Sequence, residues 1–177
     1  MNETLKIRPA TANDAALILE LIRELADFEK LLHEVDGSEE KIRATLFGAK
    51  PTAEVLIAEL HDDGGAKPPK SAGYALFFTN YSTFKTAPGI YLEDLYVRPQ
   101  FRSHGIGKKM LARLAKIAIE RGCARLDWQV LDWNTKAWDF YRSLGAISMK
   151  GWTTHRLTGD ALGSLAGDCF EKVEKKK

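Results

Sequence analysis

Residues 102 to 109, Arg-Ser-His-Gly-Ile-Gly-Lys-Lys, place an arginine, two close glycines and two lysines directly before an apolar helical pattern. Glycines let a backbone turn sharply and bring successive N–H groups onto one anion. A helix starting there adds its own free N–H groups. The apolar positions Met110, Leu111, Leu114, Ala115 and Ala118 recur at helical spacing, and Gly122 is predicted to close the helix. Lys108 and Lys109 oppose the dipole of such a helix unless a negative group sits nearby. Two familiar phosphate loops are excluded. A P-loop needs glycine and a hydroxyl residue where Arg102 and Lys109 stand, and the dinucleotide fingerprint needs a third glycine where Met110 stands. The remaining pattern, Arg-x-x-Gly-x-Gly, reads either as an anion cradle or as a plain glycine turn with solvated lysines.

The elements that must position this loop are legible along the chain. "LKIRPA" predicts a first strand broken at Pro9, and Thr11 with Asp14 resembles a capping box opening a helix with Leu17, Leu21, Ile22, Leu25 and Phe28 on one face. A shorter helix is predicted from Ser38, carrying Ile42 and Leu46. Strands follow at 54–60 and 72–79, joined by the polar stretch "HDDGGAKPPKS", and then at 89–97, running through "RPQF" into the loop. A strand at 125–131, a helix from Thr135 to Leu144 and a closing pair of strands, "AISMK" and "WTTHRLTG", precede a small helix near 160–166. This order predicts an α/β (α+β) domain: a mixed, mostly antiparallel sheet of six to seven strands with helices on both faces.

The 177 residues suit one domain, expected over residues 1–170, with a basic tail at 171–177. Net charge is +2, and the tail's four lysines against two glutamates account for all of it. That argues against a nucleic-acid binder, which needs a basic face. Cys123 and Cys169 form no Cys-x-x-Cys motif and no cluster with histidine, so neither a disulfide framework nor a metal site is expected. No apolar run approaches the ~20 residues that span a bilayer. A soluble, cytoplasmic protein without membrane association is the expectation.

Taken in order, "YLEDLYV", "RPQFRSHGIGKKML", "VLDWN" and "AWDFYRSLGA" resemble the GNAT superfamily of acetyl-CoA-dependent N-acetyltransferases. Within it the chain is most similar to the diamine acetyltransferases of the spermidine/spermine type, through "IRPAT", "LIRELADFE", "YLEDLYV", "GIG" and "WNTKAWDFYRSLGA". The resemblance implies that the loop beginning at Arg102 holds the pyrophosphate of coenzyme A on N–H groups from Ser103, His104, Gly105, Ile106, Gly107 and Lys108. It implies that Leu95, Tyr96 and Val97 pair their backbone with the pantetheine arm, as an added strand would, and that Asn134 contacts the cofactor. An Asn N-cap explains Asn134 equally well. Diamine-type members carry glycine directly after the arginine, where this chain has Ser103.

The chemistry so implied is attack of an amine on a thioester. An alkylammonium with a pKa of about 10.4 must first lose a proton, at a cost of roughly 4 to 5 kcal/mol at pH 7. By resemblance Glu93 receives that proton, and Tyr141 gives one to the departing sulfur, near which its hydroxyl is placed. The backbone N–H near Leu95 would polarise the carbonyl oxygen. Asp94 is adjacent to Glu93, and regular alternation would turn it to the opposite face; a bulge would let both reach the cleft, with Asp94 in a substrate-binding role.

Glu29 and Trp152 match substrate-binding positions of the polyamine enzymes, for an ammonium and for a cation or alkyl chain. Lys150 stands where those enzymes are acidic and should repel a long polycation. The expected substrate is therefore a primary amine on a small molecule: a diamine, a polyamine or an amino acid with an amino side chain. The alternatives are a protein or peptide N-acetyltransferase and a non-catalytic acetyl-CoA sensor. The resemblance also implies a homodimer, with no metal.

Overall fold

The computed structural model describes residues 3–65 and 67–167; Cys169 and the basic tail at 171–177 lie outside the described residues. The chain forms two compact units, one ending at Gln129 and one beginning at Val130.

The first unit holds strands β1 (Glu3–Pro9), β2 (Glu54–Asp62), β3 (Lys70–Ser82), β4 (Ala87–Val97) and β5 (Leu126–Trp128). They form one sheet in the order β1-β2-β3-β4-β5, antiparallel throughout except for the parallel pair β4 and β5. Pro9 is tolerated because β1 is an edge strand. Helices α1 (Ala15–Phe28), α2 (Glu39–Phe47) and α3 (Ile106–Glu120) complete the unit. Thr11 N–H donates to Asp14 Oδ2 at 2.7 Å, and a single 3-10 turn, Ala12–Asp14, leads into α1. Ser38 caps α2 by accepting from Lys41 N–H at 3.2 Å.

Alternation along the strands divides the core. Val55, Ile57, Tyr74 and Tyr96 pack with Ala15, Ile18 and Leu21 of α1 and Ile42 of α2. The intervening residues Leu56, Ala75, Phe77 and Leu92 are buried on the opposite face, and α3 buries Met110, Leu111, Leu114, Ile117 and Ala118. Ala115, expected on the buried stripe of α3, is exposed, and Ile117 takes that part. Each fully buried Leu or Ile contributes roughly 1.5–3 kcal/mol.

The second unit holds α4 (Thr135–Ser143) and α5 (Gly159–Gly167). The expected closing strands do not form: residues 146–158 contain no strand, which leaves five strands among the described residues rather than six or seven. Ile147, Met149 and Trp152 are exposed, and Gly151 turns the chain at φ 88°. Among the described residues their alternating pattern has no partner strand, and an unsupported hairpin is marginal in water.

Candidate active site

The geometry of the site starts from the end of β5. Pairing between β4 and β5 is confined to Ile90, Tyr91 and Leu92 opposite Leu126, Asp127 and Trp128, whereas β4 continues to Val97 against β3 alone. The register with β3 jumps at this fork. Leu92 faces Phe77 and Asp94 faces Leu76, so Glu93 is an extra residue on β4, a β-bulge.

The bulge reverses which residues present their N–H to which side. Before it, Ile90 N–H donates to Arg125 O on the β5 side at 3.0 Å; after it, Arg98 N–H donates to Ala72 O on the β3 side at 2.9 Å. Alternation from Arg98 turns the N–H groups of Leu95 and Val97 away from β3, onto the edge that β5 has left. Tyr96 sends its side chain into the core beneath α1. The expected backbone-pairing segment Leu95, Tyr96 and Val97 thus borders an opening in the sheet.

Asp94 and Glu93 differ sharply in environment. Glu93 is exposed, and Asp94 is turned inward, where the Tyr74 hydroxyl donates to its Oδ2 at 2.9 Å. Burial pushes the Asp94 carboxyl up, the Tyr74 hydrogen bond opposes that, and the Glu93 charge adds to it. Glu29 caps the C-terminus of α1, and its carboxyl is also raised, by burial and by Asp94. The strand is bulged at Glu93, the alternative to regular alternation, and Asp94 lies within electrostatic range of both Glu93 and Glu29. Among the described residues, neither Glu29 nor Asp94 is ion-paired with a cation.

Beyond β4 the chain makes a 3-10 turn, Pro99–Phe101, and enters the glycine loop. Ser103 and Gly105 are both left-handed, at φ 66° and 73°, and Gly105 is the N-cap of α3. The first bond back into the helix runs from Lys109 N–H to Gly105 O at 3.0 Å, which leaves the preceding helical N–H groups for an anion. No acidic side chain occupies the first turn of α3, and Lys108 and Lys109 are exposed. His104 is exposed, with its Nδ1 2.7 Å from Arg102 O. Ile106 is buried and anchors the helix start.

Arg102 turns its side chain back from the loop. Its Nε donates to Val97 O at 2.8 Å, and its guanidinium lies 4.7 Å from the Phe28 ring centre and 5.7 Å from that of Tyr96. It thus ties the loop to the end of α1 and to β4. Arg98 makes a similar tie through Glu24, at 3.0 Å from Nε, and through Glu20.

In the second unit Asn134 is the N-cap of α4, its side chain accepting from Ala137 N–H at 3.3 Å. Tyr141 is half-buried on α4, its ring 5.3 Å from that of Phe140. Trp152 is 74% exposed on the segment after α4.

Residues 20–146 match the Acetyltransferase (GNAT) family, a stretch that includes the bulged strand, the glycine loop, Asn134 and Tyr141. The chain belongs to the GNAT family. It is 45% identical over 165 residues to a thialysine N-epsilon-acetyltransferase of Bos taurus, covering 91% of this chain and 96% of that one. It is 33% identical to an L-ornithine N5-acetyltransferase of Arabidopsis thaliana, covering 90% and 87%. Among solved structures, an integron cassette protein of V. cholerae superposes with a TM-score of 0.75 at 26% identity, over 93% of this chain and 99% of that one. This GNAT chain is accordingly an N-acetyltransferase that uses acetyl-CoA as co-substrate. Its loop fits that co-substrate in chemistry: two left-handed residues, helix N–H groups without a helical acceptor and two lysines suit an anionic group. No helix among the described residues is long and apolar enough to cross a membrane.

Sequence reasoning missed Tyr74. It sits inside the apolar run "AGYALFFT", and a tyrosine in such a run is the signal for a hydrogen-bond partner, because a buried phenol needs one. The partner is 20 residues away, and only the register between β3 and β4 reveals it. The backward course of Arg102 was equally invisible, because Phe28 lies far from it in sequence.

Proposed function

We propose that this acetyltransferase acts on the side-chain amine of a small basic amino acid, with a short diamine as a secondary substrate. The observation that carries the reading is the acidic set at the bulge: Glu29 and Asp94 are held partly buried at raised proton affinity, and among the described residues no cation is paired with either. A substrate ammonium would relieve that arrangement, and its acetyl-accepting amine would then lie beside Glu93. The relatives support the choice, since thialysine and L-ornithine are both amino acids carrying an amino side chain. Lys150 argues against a long polycation.

In this reading acetyl-CoA supplies the activated acetyl group, held by the N–H groups of residues 103–108 and by the free edge at Leu95 to Val97. Glu93 takes a proton from the substrate ammonium, directly or through water, and the neutral amine so formed attacks the thioester carbonyl. The Leu95 N–H polarises the carbonyl oxygen as charge develops on it. Tyr141 donates its phenolic proton to the leaving sulfur, and Asn134 supports the cofactor beside its capping role. Trp152 contacts the substrate's alkyl chain.

The catalytic domain spans residues 1–170, in keeping with a family match that runs from the first unit into the second. It works in the cytoplasm as a homodimer. The exposed Ile147 and Met149, apolar side chains on one short stretch, support the dimer. Release of free thiol from acetyl-CoA with a panel of L-ornithine, L-lysine, thialysine, putrescine and spermidine tests the substrate class. The amino acids should give the highest kcat/KM. Preference for spermidine, or no release with any amine, would remove the proposal.

A further inference from the structure

We infer that Tyr74 is a positioning residue for amine recognition, holding the Asp94 carboxylate so that one of its oxygens remains open to the substrate ammonium. The inference rests on the substrate reading above and deepens it by assigning a residue that lies outside the substrate's reach.

Tyr74 is 0% exposed, in the middle of β3 and packed among Ile18, Leu21, Ile57 and Tyr96. Its ring cannot swing away, so the direction of its hydroxyl is set by the core. The neighbouring position on the same sheet face is Leu76, and packing alone would be met by phenylalanine at 74. The added oxygen makes one hydrogen bond, to Asp94 Oδ2 at 2.9 Å. Burial keeps the phenol protonated, and the nearby Asp94 and Glu29 act in the same direction, so the hydroxyl is a donor here.

The charged and titratable groups facing Asp94 are Glu29 from the end of α1, Glu93 from the bulge and Tyr74 itself from β3; Tyr96 faces Tyr74 in turn. Among the described residues, two of these are carboxylates and none is a cation. Tyr74 is thus the group that favours the ionised form of Asp94 while no substrate is present. By occupying Oδ2 it also fixes the plane of the carboxylate and leaves Oδ1 for a ligand. Two carboxylates without such a donor would share a proton and lose their attraction for an ammonium.

The test is Tyr74→Phe in the full chain, assayed beside Asp94→Asn and the double variant. Tyr74→Phe is expected to raise KM for the amine roughly tenfold, the effect of losing one hydrogen bond to a charged group. Its kcat and its KM for acetyl-CoA should stay within about twofold. The acidic limb of kcat/KM against pH should move to higher pH, because Asp94 then holds its proton more tightly. The double variant should be no worse than Asp94→Asn alone, as expected for a residue acting through Asp94.

An unchanged amine KM in folded Tyr74→Phe overturns the inference, as does a further loss in the double variant. A Tyr74→Phe chain that fails to fold, judged by its thermal unfolding, also overturns it by making the oxygen structural. These outcomes leave the substrate reading intact. Absence of amine turnover in the unaltered protein removes that reading and this inference together.

Discussion

The two halves of β4 obey different rules. From Ile90 to Leu92 the strand is paired on both sides, alternates regularly and buries Ile90 and Leu92 in the core. From Asp94 to Val97 it has β3 on one side and an open edge on the other, and it carries a carboxylate inward. One extra residue, Glu93, separates the two regimes. The first half is paired on both sides; the second keeps Tyr96 in the core but gives up one pairing edge and turns a carboxylate inward. The acidic set and the open edge both lie at this local breach of strand regularity, which is what a bulge provides.

The most severe test of that contrast is at the joint. Glu93→Gln keeps the size of the side chain and the bulge but removes the carboxylate proposed as the proton acceptor. Its kcat with the preferred amine should fall by roughly a hundredfold to a thousandfold. Thermal stability and KM for acetyl-CoA should be nearly unchanged. A variant retaining most of its kcat would show that the bulge shapes the edge without contributing the base.

Much of the contrast was legible in advance, for identifiable reasons. The span of β4 appears in "GIYLEDLYV", and α3 appears in the spacing of Met110, Leu111 and Leu114, because both elements bury one face. The start of α2 at Ser38 and the cap at Asn134 were readable because capping is local chemistry. The bulge could be named only as an alternative, since a strand's register depends on its neighbour. The Tyr74–Asp94 bond and the Arg102 stack over Phe28 depend on tertiary approach between distant segments. The closing strands failed for the converse reason: "AISMK" and "WTTHRLTG" have strand-like composition, but composition does not supply a neighbour to pair with.

A second test compares how tightly each half is built. At Gly73, opposite Val97, an added Cβ would come within 2.1 Å of Tyr96 O and 3.0 Å of Val97 Cα, both backbone. At Gly89, opposite Asn80, it would meet Asn80 Oδ1 at 2.3 Å and Arg125 Cγ at 3.1 Å, both side-chain atoms that can move. Gly73→Ala should therefore cost about 3 kcal/mol and Gly89→Ala about 1 kcal/mol, read from urea unfolding. Equal costs would mean that the open-edged half yields as readily as the paired one.

The third test sets the carboxylate of the second half against one elsewhere in the unit. Asp14 accepts from Arg8 at 2.8 Å, and the guanidinium lowers its carboxyl to about 2. Its unfolded form binds protons more readily, so its contribution is present above the ordinary carboxylate range and fades as pH falls toward 2. Asp94 and Glu29 have the opposite sign. Their folded forms bind protons more readily, so they favour folding in acid and oppose it once pH rises through their raised pKa values. At pH 7 Asp14→Asn should destabilise by about 2 kcal/mol. Asp94→Asn should leave stability unchanged or raise it while weakening amine binding. Thermal unfolding at pH 7 and pH 4 separates the two, and a marked loss of stability in Asp94→Asn at pH 7 would contradict the assignment.

The smallest effect lies just past the open edge. Ser103 and Gly105 both take a left-handed backbone in the loop, but only Gly105 does so without a Cβ penalty. A left-handed residue other than glycine costs about 1–2 kcal/mol, and part of that gain is returned when glycine frees the unfolded chain. Ser103→Gly should therefore stabilise by about 0.5–1 kcal/mol, raising Tm by roughly 1–4 °C for a chain of this size. Because the loop already holds the required φ of 66°, KM for acetyl-CoA should change less than about twofold. A Tm that rises with an unchanged KM would place the strain in the loop's stability alone. A clear drop in KM would instead mean that Ser103 holds the N–H groups away from their best position for the pyrophosphate, and that the cradle beyond the open edge is less finished than the edge itself.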